Sequence, residues 1–403
     1  MNTKRSCRDT SARASAEGMY LPGGAERENY RVCRVGKQLV RVWGSQGGRG
    51  LPSRVISSLR PSANLLCSDL PFALMADFHP CVGGVIGSVI PSRASIYPAL
   101  IGADAGCGVA AVRLKEFEVP RREQLEELFR AIRRAIPTGS AEYPKLAGND
   151  AECGVWDGLA KLPIVTRFTR EKLERQFATL GGGNHFIELG LDNDRGVWIV
   201  VHTGSRYFGG LLASRYEGRI IAVESEEALE FLRYHDTVLE YARESRAAIV
   251  RKVLACLPQP LGQIGRVDLS IDTVHNFAAI EEHAGAKLVV HRKGACRAAE
   301  GDLGVIPGSM GTSSFVVEGT GKAESYASSS HGAGRVLARG EAFRELRPKD
   351  LHREMKHVVW AKSERLLDEA PQAYKDIDGV MRAQADLVTQ RHRLMPILSV
   401  KGE

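Results

Sequence analysis

The sequence has no long apolar run: no stretch of its 403 residues approaches the ~18 consecutive apolar residues of a membrane-crossing helix. Its start lacks the charged-then-apolar pattern of a secretory signal. The eight cysteines are scattered through a large chain, which argues against a disulfide framework. A cytoplasmic location is therefore expected, where the reducing environment keeps a thiolate available to a metal. No Pro/Gly/Ser-rich linker divides residues 66–403, and there is no internal repeat. Strands and helices mix without a βαβ rhythm, which points to the α+β class. The length allows one large domain or two smaller ones, and 43% hydrophobic content is enough for a full core.

Acidic residues are missing between Arg31 and Arg60, where seven basic ones stand: Arg31, Arg34, Lys37, Arg41, Arg49, Arg54 and Arg60. Residues 1–60 hold twelve Lys/Arg against four Asp/Glu, a local charge of +8 in a chain of net +7, so the remainder is close to neutral. Such a segment suits contact with nucleic-acid phosphates; a solvated face is the alternative. Residues 1–65 are read as a basic segment, partly disordered at its start, ahead of a single domain over residues 66–403.

Alternation predicts a strand over residues 31–43, then a glycine-rich loop over 44–50. A strand-loop-strand series over 72–114 turns at Gly83, Gly84 and Gly87. Residues 121–136 form an amphipathic helix with Leu125, Leu128, Phe129, Ile132 and Ile136 on one face. A helix over 170–180 stops at Gly181, and 226–257 makes one long helix or two. Residues 197–202 and 288–292 are buried strands, 325–335 is loop, and 349–370 and 376–389 are helical.

Against this background five segments stand out: Gly-Ala-Asp104-Ala-Gly-Cys107-Gly, Gly-Gly-Gly-Asn184-His185-Phe-Ile-Glu188, His202-Thr-Gly-Ser-Arg206, His275-Asn276 and Ser-Ser-His331-Gly-Ala-Gly-Arg335. Each sets Asp, Cys or His among small residues, which make poor core but good site loops. Asp104 and Cys107 can point at one cation if Ala105-Gly106 bends tightly. A thiolate can bridge two metals, and the mixed Asp/Cys/His set permits Mn, Co or Zn but does not look like an Mg site. Any one of these histidines alone would more simply be a hydrogen-bonded core residue. His331 is left over after two metals are served. Its small neighbours leave room for a nucleotide to approach a ring nitrogen, and a neutral imidazole can attack phosphorus. A fifth metal ligand or a general acid is the alternative.

These segments resemble those of the RtcB-type RNA ligases, together with Met75-Ala-Asp77-Phe-His79, Val290-His291-Arg-Lys-Gly-Ala295, Ile306-Pro-Gly-Ser309-Met-Gly-Thr312 and Pro396-Ile-Leu-Ser-Val-Lys401-Gly. The residues before 66 lie outside the resemblance. Ala105, Thr203 and Cys81 stand where the family usually has Ile, Ser and Gly. The resemblance implies that Asp104, Cys107 and His185 hold one Mn²⁺, that Cys107, His202 and His275 hold a second, and that His331 becomes linked to GMP from GTP. The implied nucleotide site takes in Asn184, His185, Phe186, Ile187 and Glu188; His275 and Asn276; Pro307, Gly308, Ser309, Met310 and Ser314; His331, Gly332, Ala333 and Gly334; and Lys401. Gly181–Gly183 and the Ser309 loop resemble phosphate loops. Asn184, Asn276 and Ser309 are placed near the phosphates, and Glu188, Ser314 and Lys401 near the guanine or ribose. A carboxylate at 188 can accept from guanine N1–H and N2–H₂, which adenine lacks; a solvated strand-end charge is the bland alternative. Arg206 is assigned to RNA, with Arg292 and Lys293 as further candidates against a surface ion pair. His79, His283 and His291 are expected to be structural or to support the site. The implied substrates are RNA ends bearing a 3′-phosphate or 2′,3′-cyclic phosphate and RNA ends bearing a 5′-hydroxyl. The sequence does not fix the oligomeric state, and a monomer is expected. A dinuclear cyclic phosphodiesterase and a non-catalytic RNA-binding homologue are the rival readings.

Overall fold

A computed structural model describes residues 17–21, 29–44, 49–66, 69–114, 118–144, 154–257 and 267–402. The expectations for residues 1–16, 22–28 and 45–48 lie outside these. Tyr30–Val35 (β1) and Gln38–Trp43 (β2) pair antiparallel. The single strand predicted over 31–43 is thus two, because Gly36 reverses the chain at φ +59°. Ser53–Leu66 (α1) follows, then the hairpin of Phe72–Cys81 (β3) and Gly84–Ser92 (β4), the short Ser95–Ile96 (β5), and Gly108–Leu114 (β6).

The middle of the chain holds Arg122–Ala135 (α2), Val155–Ala160 (α3) and Arg167–Gln176 (α4), then Phe186–Leu191 (β7) and Val197–Thr203 (β8). Helix α4 starts and stops earlier than predicted: Thr166 caps it by accepting from Thr169 N, and Ala178 takes φ +57°. Tyr207–Arg215 (α5), Ile221–Ala222 (β9) and Glu226–Cys256 (α6) come next. Helix α6 is one unbroken helix of 31 residues. It contains no Gly or Pro, Ser225 caps it, and Glu226 and Glu227 in its first turn suit the helix dipole.

Val267–Val274 (β10), Asn276–His283 (β11), Ala286–Lys293 (β12), Ala295–Arg297 (β13), Leu303–Ile306 (β14), Ser314–Gly319 (β15) and Ser328–Ser330 (β16) lead to Arg339–Glu345 (α7) and Pro348–Glu354 (α8). Ile377–Ala383 (α9) and Val388–Lys401 (β17) end the fold. The helix predicted over 349–370 survives only as α8 and a 3₁₀ segment at Glu364–Glu369, because Lys362 takes φ +52° between them. The one predicted over 376–389 yields to β17 at Val388. The loop predicted over 325–335 contains β16.

Two large sheets carry the fold. One runs β1-β2-β3-β4-β12-β11, the other β10-β6-β8-β7-β17-β15-β14. The continuous apolar run in β8 is explained by burial on both faces. Val197, Ile199 and Val201 join the core that includes Leu128, Leu173 and Phe231 of the helical layer. Trp198 and Val200 face Ile271, Val305, Val316 and Leu394 from the outer strands of the same sheet. Strands β1 and β2 pack with α1 and the β3–β4 hairpin, so the basic N-terminal segment shares the six-stranded sheet. Among the described residues no helix is long and apolar enough to cross a membrane.

Candidate active site

Strand order sets the site. In β10-β6-β8-β7 every neighbour is antiparallel, so the starts of β6 and β7 and the ends of β8 and β10 lie on one edge of the sheet. Cys107 immediately precedes β6, His185 immediately precedes β7, His202 is one residue from the end of β8, and His275 follows β10. His275 is also the residue at which the chain crosses to the six-stranded sheet.

The Asp104–Cys107 turn closes with Cys107 N–H donating to Asp104 O at 3.0 Å, and Gly106 takes φ +78°. Cys107 Sγ lies 3.3 Å from His202 Nε2 and 3.6 Å from His185 Nε2, and His185 Nε2 lies 3.3 Å from Asp104 Oδ2. Two overlapping ligand sets result, Asp104–Cys107–His185 and Cys107–His202–His275, each with its donor atoms within 4.8 Å of one another. Two glycines make the approach possible. A Cβ on Gly204 would stand 2.2 Å from Asp104 Oδ1, and one on Gly181 would stand 2.8 Å from His185 Nδ1 and 2.1 Å from Arg206 Nη1.

The imidazoles and the carboxylate are in donor states that suit a cation, while the thiol must lose a proton to join them. Leu180 O lies 3.1 Å from His185 Nδ1 and can only accept, so the proton is on Nδ1 and the Nε2 lone pair faces the cluster. Burial, reinforced by neighbouring histidines and cations, holds His202 and His275 well below the usual imidazole range. Burial, with Asp104 alongside, pushes the Cys107 thiol well up. Burial opposes the charge on Asp104, but the His185 contact prevails and holds its carboxyl below the usual range. His275 Nδ1 is buried with no hydrogen-bond partner, an omission that costs about 1–3 kcal/mol unless something meets it. One carboxylate, one thiol and three imidazoles around such an atom fit a pair of borderline divalent ions.

His331 follows β16 and stands beside this cluster, its ring centroid 4.7 Å from that of His275. Its Nδ1 is 2.6 Å from Oδ2 of Asp77, a fully buried residue on β3. The backbone N–H groups of His331 and Gly332 donate to the same oxygen at 3.1 and 3.3 Å. Burial works against the Asp77 charge, yet His331 and Lys375 hold its carboxyl below the usual range. Lys375 brackets Asp77 by donating to the carbonyls of Ala76 and Phe78 at 2.9 and 2.7 Å. An ionised Asp77 only accepts, so Nδ1 carries the proton and Nε2 presents its lone pair.

A cavity of about 520 Å³ opens beside His331. Asn184, Phe186, Glu188, Pro307, Gly308, Ser309, Met310, Ser314, Gly332, Ala333, Gly334 and Lys401 line it. Glu188 is buried, and Ser314 Oγ donates to it at 3.2 Å. Burial pushes its carboxyl up to about 8, against the Ser314 bond and the Lys401 charge. Lys401 is held in place by an ion pair with buried Glu369, which also accepts from Arg339, Arg335 and Tyr374 at 2.9, 3.2 and 2.7 Å.

Other expected site residues fall elsewhere. Ile187 points to the opposite face of β7 and is fully buried in the core. Asn276 ties loops together, donating to Asp104 O at 3.1 Å and accepting from Gly294 N at 2.8 Å. Gly181–Gly183 do not line the cavity, and Gly183 lies against the Arg339 guanidinium. Arg206 folds onto Gly139 O at 2.9 Å, outside the cavity. Arg292 is fully buried and grips Glu281 at 2.6 and 2.9 Å, which removes it as an RNA contact. Lys293 donates to Gly83 O at 3.2 Å. His79, on the cavity wall, lies 3.0 Å from Asp77 O; His283 lies 2.9 Å from Glu281, and His291 accepts from Tyr97 N at 2.9 Å. The sequence alone assigns no role to Asp77, Lys375 or Glu369. Only Asp77 carried a signal, as part of a motif.

A family model described as tRNA-splicing ligase RtcB matches residues 60–402. The chain is 37% identical to the RNA-splicing ligase RtcB of Escherichia coli K12, over 93% of this chain and 100% of that protein. It is 29% identical to RNA-splicing ligase RtcB2 of a second Escherichia coli strain, over 87% of this chain and 93% of that one. It is also 32% identical to the tRNA-splicing ligase RtcB of Pyrobaculum aerophilum, over 56% of this chain and 60% of that one.

Proposed function

The chain belongs to the RtcB family of RNA ligases, and on that premise we propose that it joins RNA 3′-phosphate or 2′,3′-cyclic phosphate ends to 5′-hydroxyl ends, using GTP and Mn²⁺. It is an RNA ligase, RNA is its substrate, and its family implies dependence on a metal. The observation that carries the finer reading is the His331–Asp77 pair, with His331 on the cavity wall and Asp77 buried behind it. With Nδ1 anchored, the Nε2 lone pair attacks the α-phosphorus of GTP. The N–P bond forms as the α–β bridging P–O bond breaks, and pyrophosphate leaves. Ionised Asp77 holds the ring in place and steadies the positive charge that grows on it.

GMP then passes from His331 to the RNA 3′-phosphate as the N–P bond breaks, after hydrolysis of any cyclic phosphate. The 5′-hydroxyl attacks the activated phosphorus, forms the phosphodiester and releases GMP. Held by Asp104, Cys107 and His185 and by Cys107, His202 and His275, Mn²⁺ would neutralise phosphate charge through these steps. Glu188, ionised, would select guanine by accepting from N1–H and N2–H₂. A cyclic phosphodiesterase would need neither an anchored nucleophile nor a buried carboxylate in a nucleotide-sized cavity.

End-labelled RNA pairs test the reading. Joining of a 3′-phosphate strand to a 5′-hydroxyl strand with GTP and Mn²⁺, and not with ATP, is expected. Joining only of 3′-hydroxyl to 5′-phosphate ends, or opening of a cyclic phosphate with no joined product, would overturn it.

A further inference from the structure

Arg246 lies within α6 and is fully buried. Its Nε and Nη2 each donate to an oxygen of Asp272 at 2.7 Å. Its Nη1 donates to the carbonyls of Gly106 and Thr203 at 2.8 and 3.0 Å. Gly106 precedes Cys107, Thr203 follows His202, and Asp272 lies on β10 three residues before His275. One guanidinium thus bonds all three segments that carry the Cys107–His202–His275 set, although it donates to none of the three ligands.

We propose that Arg246 is a positioning residue of the metal centre, fixing the spacing of Cys107, His202 and His275. The inference rests on reading that cluster as a metal site. Three features favour positioning over mere filling of the core. The acceptors are backbone carbonyls beside the ligands, so a shift of the guanidinium moves the ligands. Arg supplies a planar fork of donors that meets four acceptor atoms on three residues, which the three donors of a Lys ammonium cannot do. The two-oxygen pairing with Asp272 also sets a counter-charge against the guanidinium, which offsets part of its repulsion of ions bound nearby. Gly108 leaves the room needed, since a Cβ there would stand 3.1 Å from the guanidinium carbon.

The test uses full-length protein with Arg246→Lys, Arg246→Met and Asp272→Asn. Mn²⁺ binding is measured by equilibrium dialysis with metal analysis, and cooperative melting is measured in chelator. Arg246→Lys preserves the charge, so a purely structural neutralisation of Asp272 would be rescued by it. Positioning predicts instead that Arg246→Lys still melts cooperatively without metal but binds at least one of the two Mn²⁺ about tenfold more weakly. Asp272→Asn, which keeps Arg246 but frees its fork, should weaken the same step and serves if the Arg246 variants do not fold. Two Mn²⁺ bound with wild-type affinity by a folded Arg246→Lys or Asp272→Asn protein overturns the inference and leaves the site intact. Failure of the wild-type protein to bind Mn²⁺ would remove the metal site and this inference with it.

Discussion

His331 Nδ1 stands 2.6 Å from Asp77 Oδ2, and the two residues come from different parts of the fold, β3 and the loop after β16. The contact sets which ring nitrogen is free. Asp77→Asn keeps the size of the side chain but offers an amide that can turn a donor toward Nδ1 and stabilise the wrong tautomer. GMP transfer from GTP should then slow by up to ~10⁴-fold, the scale expected when an aspartate that sets the tautomer of a catalytic imidazole is replaced by asparagine. Single-turnover rates check this, and a rate close to wild type would remove Asp77 from the mechanism.

Cys107 is shared by both ligand sets. Cys107→Ser replaces a thiolate donor by a hydroxyl that stays protonated at neutral pH. It should abolish joining while the core around β6 stays folded. Bound manganese should fall below two equivalents per chain; retention of two would contradict a bridging thiolate.

Glu188 gives a pH dependence. Burial raises its carboxyl to about 8, so the free protein at neutral pH holds a proton that must leave before guanine can be accepted. Apparent GTP affinity should rise with pH up to about 8 and level off, with up to about a tenfold loss for each unit below it. The folded chain keeps this proton after the unfolded chain has released it. Glu188 therefore costs stability progressively from the ordinary carboxyl range up to about pH 8. Glu188→Gln should flatten the affinity profile. A wild-type KM for GTP unchanged between about pH 6 and 8 would show that guanine is not read by this carboxylate.

Four of the seven basic residues over 31–60 are engaged within the protein: Arg31 over the Tyr20 ring, Arg41 with Glu324 O, Arg54 with Glu341 and Arg60 with Glu17. Arg34, Lys37 and Arg49 are exposed. If they meet RNA phosphates, neutralising all three should weaken RNA binding and flatten the slope of log K against log salt by about 2. GMP transfer to His331, which needs no RNA, should be unchanged. Identical binding across a salt series would make this segment a solvated face.

The candidate ligand cluster was legible in the sequence because its residues sit at or just before strand ends among small residues, and the glycines at 181 and 204 that mark those loops are the ones that admit the side chains. The supporting groups were not. Lys375 acts by donating to Ala76 O and Phe78 O, some three hundred residues earlier, Glu369 acts through a buried ion pair with Lys401, and Arg246 reads as one of several arginines on a long amphipathic helix. Arg292 reads as a surface cation beside Lys293 until β12 is seen to bury it. Strand β17 was missed because Arg391, Arg393 and Pro396 interrupt its pattern, and its partner β7 lies about two hundred residues earlier. Helix α1 carries Pro61 in its interior, which hides it from pattern reading.

The most direct measurement is incubation of the protein with α-labelled GTP and Mn²⁺, followed by denaturing electrophoresis. A covalent GMP adduct is expected on the wild-type chain, labile in acid and stable in base as a phosphorus–histidine bond is, with little label from ATP and none on His331→Ala. Label on His331→Ala equal to wild type, or no adduct on a wild-type protein that joins RNA, would contradict His331 as the nucleophile.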